Sequence, residues 1–256
     1  MPEITYRLDP HGRLPDPPPD AAAALERLRE GNDRFQALFE ERQVVDVPPH
    51  AFGISPDGSP IPQRPFAAFL GCADARAPIE MIFGCSSNEL FVVRVAGNVP
   101  GFECMGSLEY AEATLRDSLR LAVVLGHTGC GAVTAAVDTY LDPRTYPDVP
   151  SLRSVVDRIL PAVRAADQAL ASVDAYGHAA AATARQALIE TSVVLNAALS
   201  ASTIRDDLET LVVRFGVFDL VTRCASIEAP PSGTDGFVEL ASDVVHRPSI
   251  RALLDA

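Results

Sequence analysis

"LRLAVVLGHTGCGAV" (residues 119–133) decides the fold. An apolar run rich in leucine and valine stops at Gly126, and a Gly-rich turn leads into residues that suit a helix. Such a run, apolar on both faces, is what a strand buried in a parallel sheet requires. The chain has five histidines and five cysteines, and this turn holds one of each, His127 and Cys130. In open α/β sheets ligands collect beyond the carboxyl ends of the strands, so the turn is the first place to look for chemistry.

Two further runs share this character. "PFAAFLG" (65–71) ends at Gly71, and "ELFVVRVAG" (89–97) is β-branched and aromatic. Helical candidates alternate with them: "APIEMIF" (77–83), "MGSLEYAEATL" (105–115) and "CGAVTAAVDTYL" (130–141). Alternating strands and helices predict a parallel sheet covered by helices. Upstream, residues 1–20 are rich in proline and acids and read as an extended arm. Asp20 can cap a helix carrying Leu25, Leu28 and Phe35, and 43–64 reads as a Pro/Gly-rich loop. Downstream, 150–206 is Ala-rich and helical with a break near "DAYGH". "LETLVVRFGVFDLVTR" (208–223) supplies one more strand, read as an edge. "EAPPSGTDG" reads as a loop and "RPSIRALLDA" as a closing short helix. No repeat of 20–50 residues is visible.

At 256 residues and 48% hydrophobic content the chain can bury one large α/β core. A net charge of −13 argues against a nucleic-acid partner, because phosphate binding needs a basic face. No apolar run approaches 18 residues, so no membrane partner is expected. The N-terminus lacks the apolar core of a secretory signal. With an odd number of scattered cysteines this predicts reduced thiols and a cytoplasmic protein.

"LGCADAR" and "LGHTGCG" both follow strand ends. If those strands are neighbours, Cys72, His127 and Cys130 converge. Two thiolates and an imidazole suit zinc and leave one tetrahedral position open. Asp74 and Arg76 can form a charge-assisted pair beside it. There Asp74 either orients a zinc-bound hydroxide or itself becomes the fourth ligand, with Arg76 holding or releasing it. Cys85, Cys104 and Cys224 read as small buried hydrophobes. His11, His50, His178 and His246 read as surface residues. "GHTGCG" does not match the dinucleotide-binding glycine pattern.

"CADAR" (72–76) followed by "HTGC" (127–130) resembles the β-class carbonic anhydrases. "QRPFAAFLGCADARAPIEMIF", "LFVVRVAGNV", "GSLEYA" and "VVLGHTGCGAV" are similar to that family in the same order, and "ALERLREGNDRF" resembles its N-terminal helix. The resemblance implies a mostly parallel sheet of about four strands plus an edge strand, flanked by helices. It implies a zinc site (43–228) between an N-terminal arm and helix that embrace a partner subunit (1–42) and a C-terminal loop and helix (229–256). Its zinc ligands would be Cys72, His127 and Cys130, with Asp74 and Arg76 as the catalytic dyad. Gln63, Phe91, Tyr110 and the Gly131 amide would bind substrate, Gln63 across a subunit boundary and Phe91 and Tyr110 as an apolar lining also shared between subunits. The implied reaction is reversible hydration of CO2 to bicarbonate and a proton by zinc-bound hydroxide, in a homodimer or a larger even-numbered assembly. Two departures stand out. Ala73 and Ala75 replace the family's common serines, and "FDLVTRCAS" replaces its C-terminal turn. Hydrolysis of CS2 or COS, and a non-catalytic zinc-stabilised protein responsive to bicarbonate, stay open as other readings.

Overall fold

The computed structural model describes residues 4–255 apart from 10, 11, 13, 14, 39, 41, 42, 54, 56 and 58. His11 therefore lies outside the described residues. Five strands form the central sheet: β3 (Ala67–Gly71), β4 (Leu90–Arg94), β5 (Leu121–His127), β6 (Val212–Phe218) and β7 (Ala225–Glu228). Their order is β4-β3-β5-β6-β7, and only the β6–β7 pairing is antiparallel. This is the mostly parallel sheet with one extra edge strand that the sequence predicts. Two expectations are corrected. The strand in 208–223 is internal and not an edge, because β7 pairs beyond it. The stretch 43–64 is not all loop: Gln43–Val47 (β2) pairs in parallel with Ile4–Leu8 (β1), and a 3-10 turn follows at Pro49–Phe52.

Helices cover the sheet unequally. On one face lie α4 (Gly131–Leu141), α5 (Pro150–Leu170) and α7 (Ala181–Asp207). They pack on Ala68, Leu70, Ala122, Val124, Val213 and Phe215. α8 (Gly233–Val244), unforeseen in the sequence, and α9 (Pro248–Leu254) join this core through Val244, Ile250 and Leu254. α7 is long and apolar enough to cross a membrane, but 78% of its most apolar window is buried inside the domain. It is a core helix, longer in apolar character than the sequence reading allows. The "DAYGH" break is itself a short helix, α6 (Asp174–His178).

The other face carries α1 (Ala21–Ala37) and the single-turn α2 (Ile79–Ile82). Asp20 caps α1 by accepting from the Ala23 amide at 2.8 Å. Ala24 and Leu28, one turn apart, enter a core with Phe66, Phe69, Ile82, Val123 and Phe218. α1 thus packs on its own sheet. Buried Asn32 fastens it there, donating to the carbonyls of Ile82 and Arg223 and accepting from the Ala225 amide. α3 (Phe102–Thr114) buries Leu108 and Ala111 but leaves Phe102 and Tyr110 exposed.

Candidate metal centre

β3 and β5 are hydrogen-bonded neighbours running the same way, so their carboxyl ends deliver Cys72 and His127 to one place. Strand alternation assigns them to opposite faces. Cys72 continues the row of Ala68 and Leu70, whereas His127 continues the row of Leu121, Val123 and Leu125. Cys130 immediately precedes α4 and returns toward both. Among the described residues, Cys72, His127 and Cys130 form the group of buried ligand atoms within 4.8 Å of one another.

Three observations show that this group suits a metal ion. The Cys72 and Cys130 sulfurs are 3.8 Å apart. Two sulfurs bound tetrahedrally to one zinc, each at about 2.3 Å, would lie about 3.8 Å apart. His127 is fully buried, its Nδ1 sits 3.0 Å from the Thr128 carbonyl oxygen, and its Nε2 has no hydrogen-bond partner. A buried, unsatisfied ring nitrogen is costly unless something coordinates it, and Nδ1–H donation leaves Nε2 as the lone pair. The donor set, two thiolates and an imidazole, is that of a borderline-soft divalent ion.

Asp74 stands beside the cluster, with Oδ2 at 3.7 Å from His127 Nε2. It is engaged elsewhere. The Arg76 amide and Nε donate to Oδ1 at 2.9 and 3.0 Å, and Nη2 donates to Oδ2 at 2.7 Å. This fork of charge-assisted bonds holds the Asp74 carboxyl well below the usual carboxylate range. The Cys130 sulfur against it holds the Cys72 thiol below its ordinary range. The Cys130 thiol is pushed up by that neighbour and by burial.

Several supporting groups were not singled out in the sequence. Arg94, at the end of β4, donates to the carbonyls of Cys72 (3.0 Å) and Asp74 (2.5 Å), pinning the "CADAR" loop. An arginine closing an apolar run was the available signal. The Gly97 amide points at the Cys72 sulfur, 3.4 Å away. Gly97 has φ +69°, and a Cβ there would stand 2.8 Å from Ile159 Cδ1, so glycine alone fits. Asn196 on α7 donates to the Gly97 carbonyl at 2.8 Å. Glu190, also on α7, accepts from the Gly129 amide, and burial pushes its carboxyl up. Thr128 ties the same loop to β6 and the β6–β7 corner through Phe218 and Leu220.

The remaining sequence candidates are more scattered. Gly131 opens α4 next to Cys130, and Phe91 is half-buried against the core that contains Cys72. Gln63 is exposed in a separate cleft of about 280 Å³ with Gly53, Ile61, Pro65, Asn88 and Leu90. Tyr110 is exposed on α3. A larger cavity, about 600 Å³, is lined by Arg76, Gly129, Glu190, Asp219 and Arg247 among others. All five cysteines are free thiols. Cys224 is exposed and Cys85 and Cys104 are half-buried, correcting their reading as core hydrophobes. His178 and His246 are exposed as expected, but His50 is half-buried with Nδ1 enclosed.

A family model described as carbonic anhydrase matches residues 67–219, more than half of the chain. The chain belongs to the carbonic anhydrase family. The match runs from the start of β3 to just past β6, so it contains every candidate ligand and both members of the Asp74–Arg76 pair. Carbonic anhydrase 2 of Mycobacterium tuberculosis is 39% identical over 150 residues, 57% of this chain and 66% of that relative. The carbonic anhydrase of Mycolicibacterium smegmatis is 38% identical over 151 residues, with the same coverages. The chain thus spans just under two thirds of these relatives' length. Among solved structures, a tetrameric beta-carbonic anhydrase from Sordaria macrospora superposes with a TM-score of 0.51 at 20% identity, covering 65% of this chain and 81% of that one. A beta-carbonic anhydrase of Aspergillus fumigatus gives 0.51 at 18% identity, over 71% and 84%. These two show that the fold is shared.

Proposed function

We propose that this chain is a zinc-dependent carbonic anhydrase that interconverts CO2 with bicarbonate and a proton. The observation that carries the reading is the convergence of Cys72, His127 and Cys130 while Asp74 is held by Arg76. Three protein ligands and a carboxylate drawn to one side are the arrangement of an open catalytic site and not of a closed structural one.

Zinc bound there would lower the pKa of a coordinated water to about 7 and supply Lewis acidity to the reacting oxygens. The chain's own residues do the rest. Asp74, kept ionised by Arg76, offers a hydrogen-bond acceptor beside the ligand cluster and so orients the nucleophile's remaining hydrogen. Arg76 fixes that carboxylate with both a backbone and side-chain donors, which limits the motion available to it. The half-buried ring of Phe91 supplies an apolar wall for a small apolar substrate. The Gly131 amide, in the first turn of α4, has no partner within its helix and can donate to an anionic product.

The exposed positions of Gln63 and Tyr110 support an assembly in which each serves the site of a neighbouring copy. The exposed faces of Phe102 and of the β1–β2 ribbon, with Tyr6 and Leu8, supply apolar surface for such a dimer. The reading therefore keeps residues 1–42 as the arm and helix, 43–228 as the zinc-binding unit and 229–256 as the C-terminal cover. Five free thiols support a reducing, cytoplasmic setting. The test is stopped-flow CO2 hydration on protein whose zinc content is measured. Turnover well above the uncatalysed rate at full occupancy is expected. Background rates at full occupancy overturn the reading, and faster turnover of COS or CS2 would reassign the substrate.

A further inference from the structure

We propose that α7 is the positioning helix of the metal centre. Glu190 sets the His127-to-Cys130 step through Gly129, and Asn196 aims the Gly97 amide at the Cys72 sulfur. The inference rests on the metal reading above and names the residues that tune it.

Asn196 is 1% exposed. A buried amide side chain costs about 1–3 kcal/mol unless it is hydrogen-bonded, so its placement in an otherwise apolar stretch of α7 needs a partner. That partner is the Gly97 carbonyl, 99 residues away in sequence. The Gly97 N–H, in the adjoining peptide unit, lies 3.4 Å from the Cys72 sulfur, so the bond to the carbonyl restrains the residue whose amide meets that sulfur. The positions flanking Asp74 are alanines, which offer no hydroxyl to that sulfur. The Gly97 amide therefore stands with the Asp74 amide, His127 and Cys130 as a group acting on the Cys72 sulfur, and it is the one that α7 braces.

Glu190 works on the other half. Both its oxygens face the Gly129 amide, at 3.1 and 3.4 Å, and Gln186, one turn earlier, donates to Oε1 at 2.7 Å. Gly129 has φ +62° and sits between the histidine and the second cysteine. A charge-assisted bond to its amide holds the turn that spaces His127 from Cys130. One helix thus braces the His127–Cys130 turn directly and Cys72 through the Gly97 turn.

The test uses the full-length protein, stripped of metal and titrated with zinc or cobalt against a chromophoric chelator. The cobalt-loaded form also reports the sulfur-to-cobalt charge-transfer band. Asn196→Ala is expected to weaken metal affinity about 10- to 100-fold, the usual effect of losing a group that orients a ligand, and to move the band to lower energy. Glu190→Ala is expected to weaken affinity by a similar factor, and Glu190→Gln, which keeps an acceptor oxygen, to restore most of it. If Asn196→Ala does not fold, Asn196→Leu, close in volume and without the donor, is measured instead. Parent affinity and an unmoved band in the Asn196 and Glu190→Ala variants, with only a lower melting temperature, overturn the proposal and make α7 a packing element. A parent that takes up neither metal overturns the metal reading and this proposal together. A parent that binds metal but does not hydrate CO2 overturns only the enzymatic reading.

Discussion

The two faces of the sheet are built to different depths. One carries α4, α5 and α7, closed off by α8 and α9, over a core with 38 buried apolar residues among those described. The other carries α1 and α2 over 14. Cys72 and Cys130 belong to the deep side, whereas His127 continues the row that faces the shallow side. The difference teaches where rigidity is invested. The deep side holds both sulfurs, the Gly97 turn and the Glu190 and Asn196 braces, while the shallow side contributes one imidazole and secures itself mainly through Asn32. Stability is drawn from both faces, but site geometry is drawn mainly from one.

The largest effect is expected at a ligand on the deep face. Cys130→Ala should lose stoichiometric metal and CO2 hydration together, checked by elemental analysis and stopped flow. It should also melt earlier, since metal binding is coupled to folding. Asp74→Asn should keep its metal but lose about 10- to 100-fold in turnover, because an amide cannot repeat the carboxylate's double engagement with Arg76. An Asn variant with parent turnover would refute the role given to Asp74.

A matched pair then separates the faces directly. Ile159→Ala, under Gly97, and Leu28→Ala, in α1, remove fully buried side chains of similar size. Each should cost about 2–5 kcal/mol in chemical denaturation. Only Ile159→Ala should also weaken metal affinity, because only Ile159 supports the turn whose amide meets Cys72. Equal losses of affinity would erase the distinction between the faces. The smallest effect is one of reactivity. Cys224 is exposed, whereas burial pushes the Cys85 thiol up to about 12. A maleimide at neutral pH should label Cys224 first and Cys85 far more slowly, read by mass spectrometry of the intact protein and its peptides.

Legibility in the sequence followed the same division between local and distant signals. β3, β4 and β5 were readable because each is a near-continuous apolar run, and in β3 and β5 it ends on glycine just before a ligand. The ligand group and the Asp74–Arg76 pair were readable because their spacing is short within each segment. β7 was not, because "ASIE" is four residues long and half polar, and without it β6 took on the role of an edge. α8 was hidden by "SGTDG", whose glycine has φ +65° at the helix start and reads as loop. Glu190 and Asn196 could not be singled out, since a polar residue in an Ala-rich helix looks like one facing water. Their partners, Gly129 and Gly97, lie 61 and 99 residues upstream. Gln63 and Tyr110 were named from resemblance, and both are exposed here.

The amide of Gly97 carries a consequence for anyone who would transplant this centre. A graft of residues 67–141 would move all three ligands and the arginine–aspartate fork, yet leave behind the asparagine that keeps a glycine facing sulfur. The recipient scaffold would have to supply a buried donor of its own for the glycine carbonyl, or accept an amide free to turn away from the sulfur.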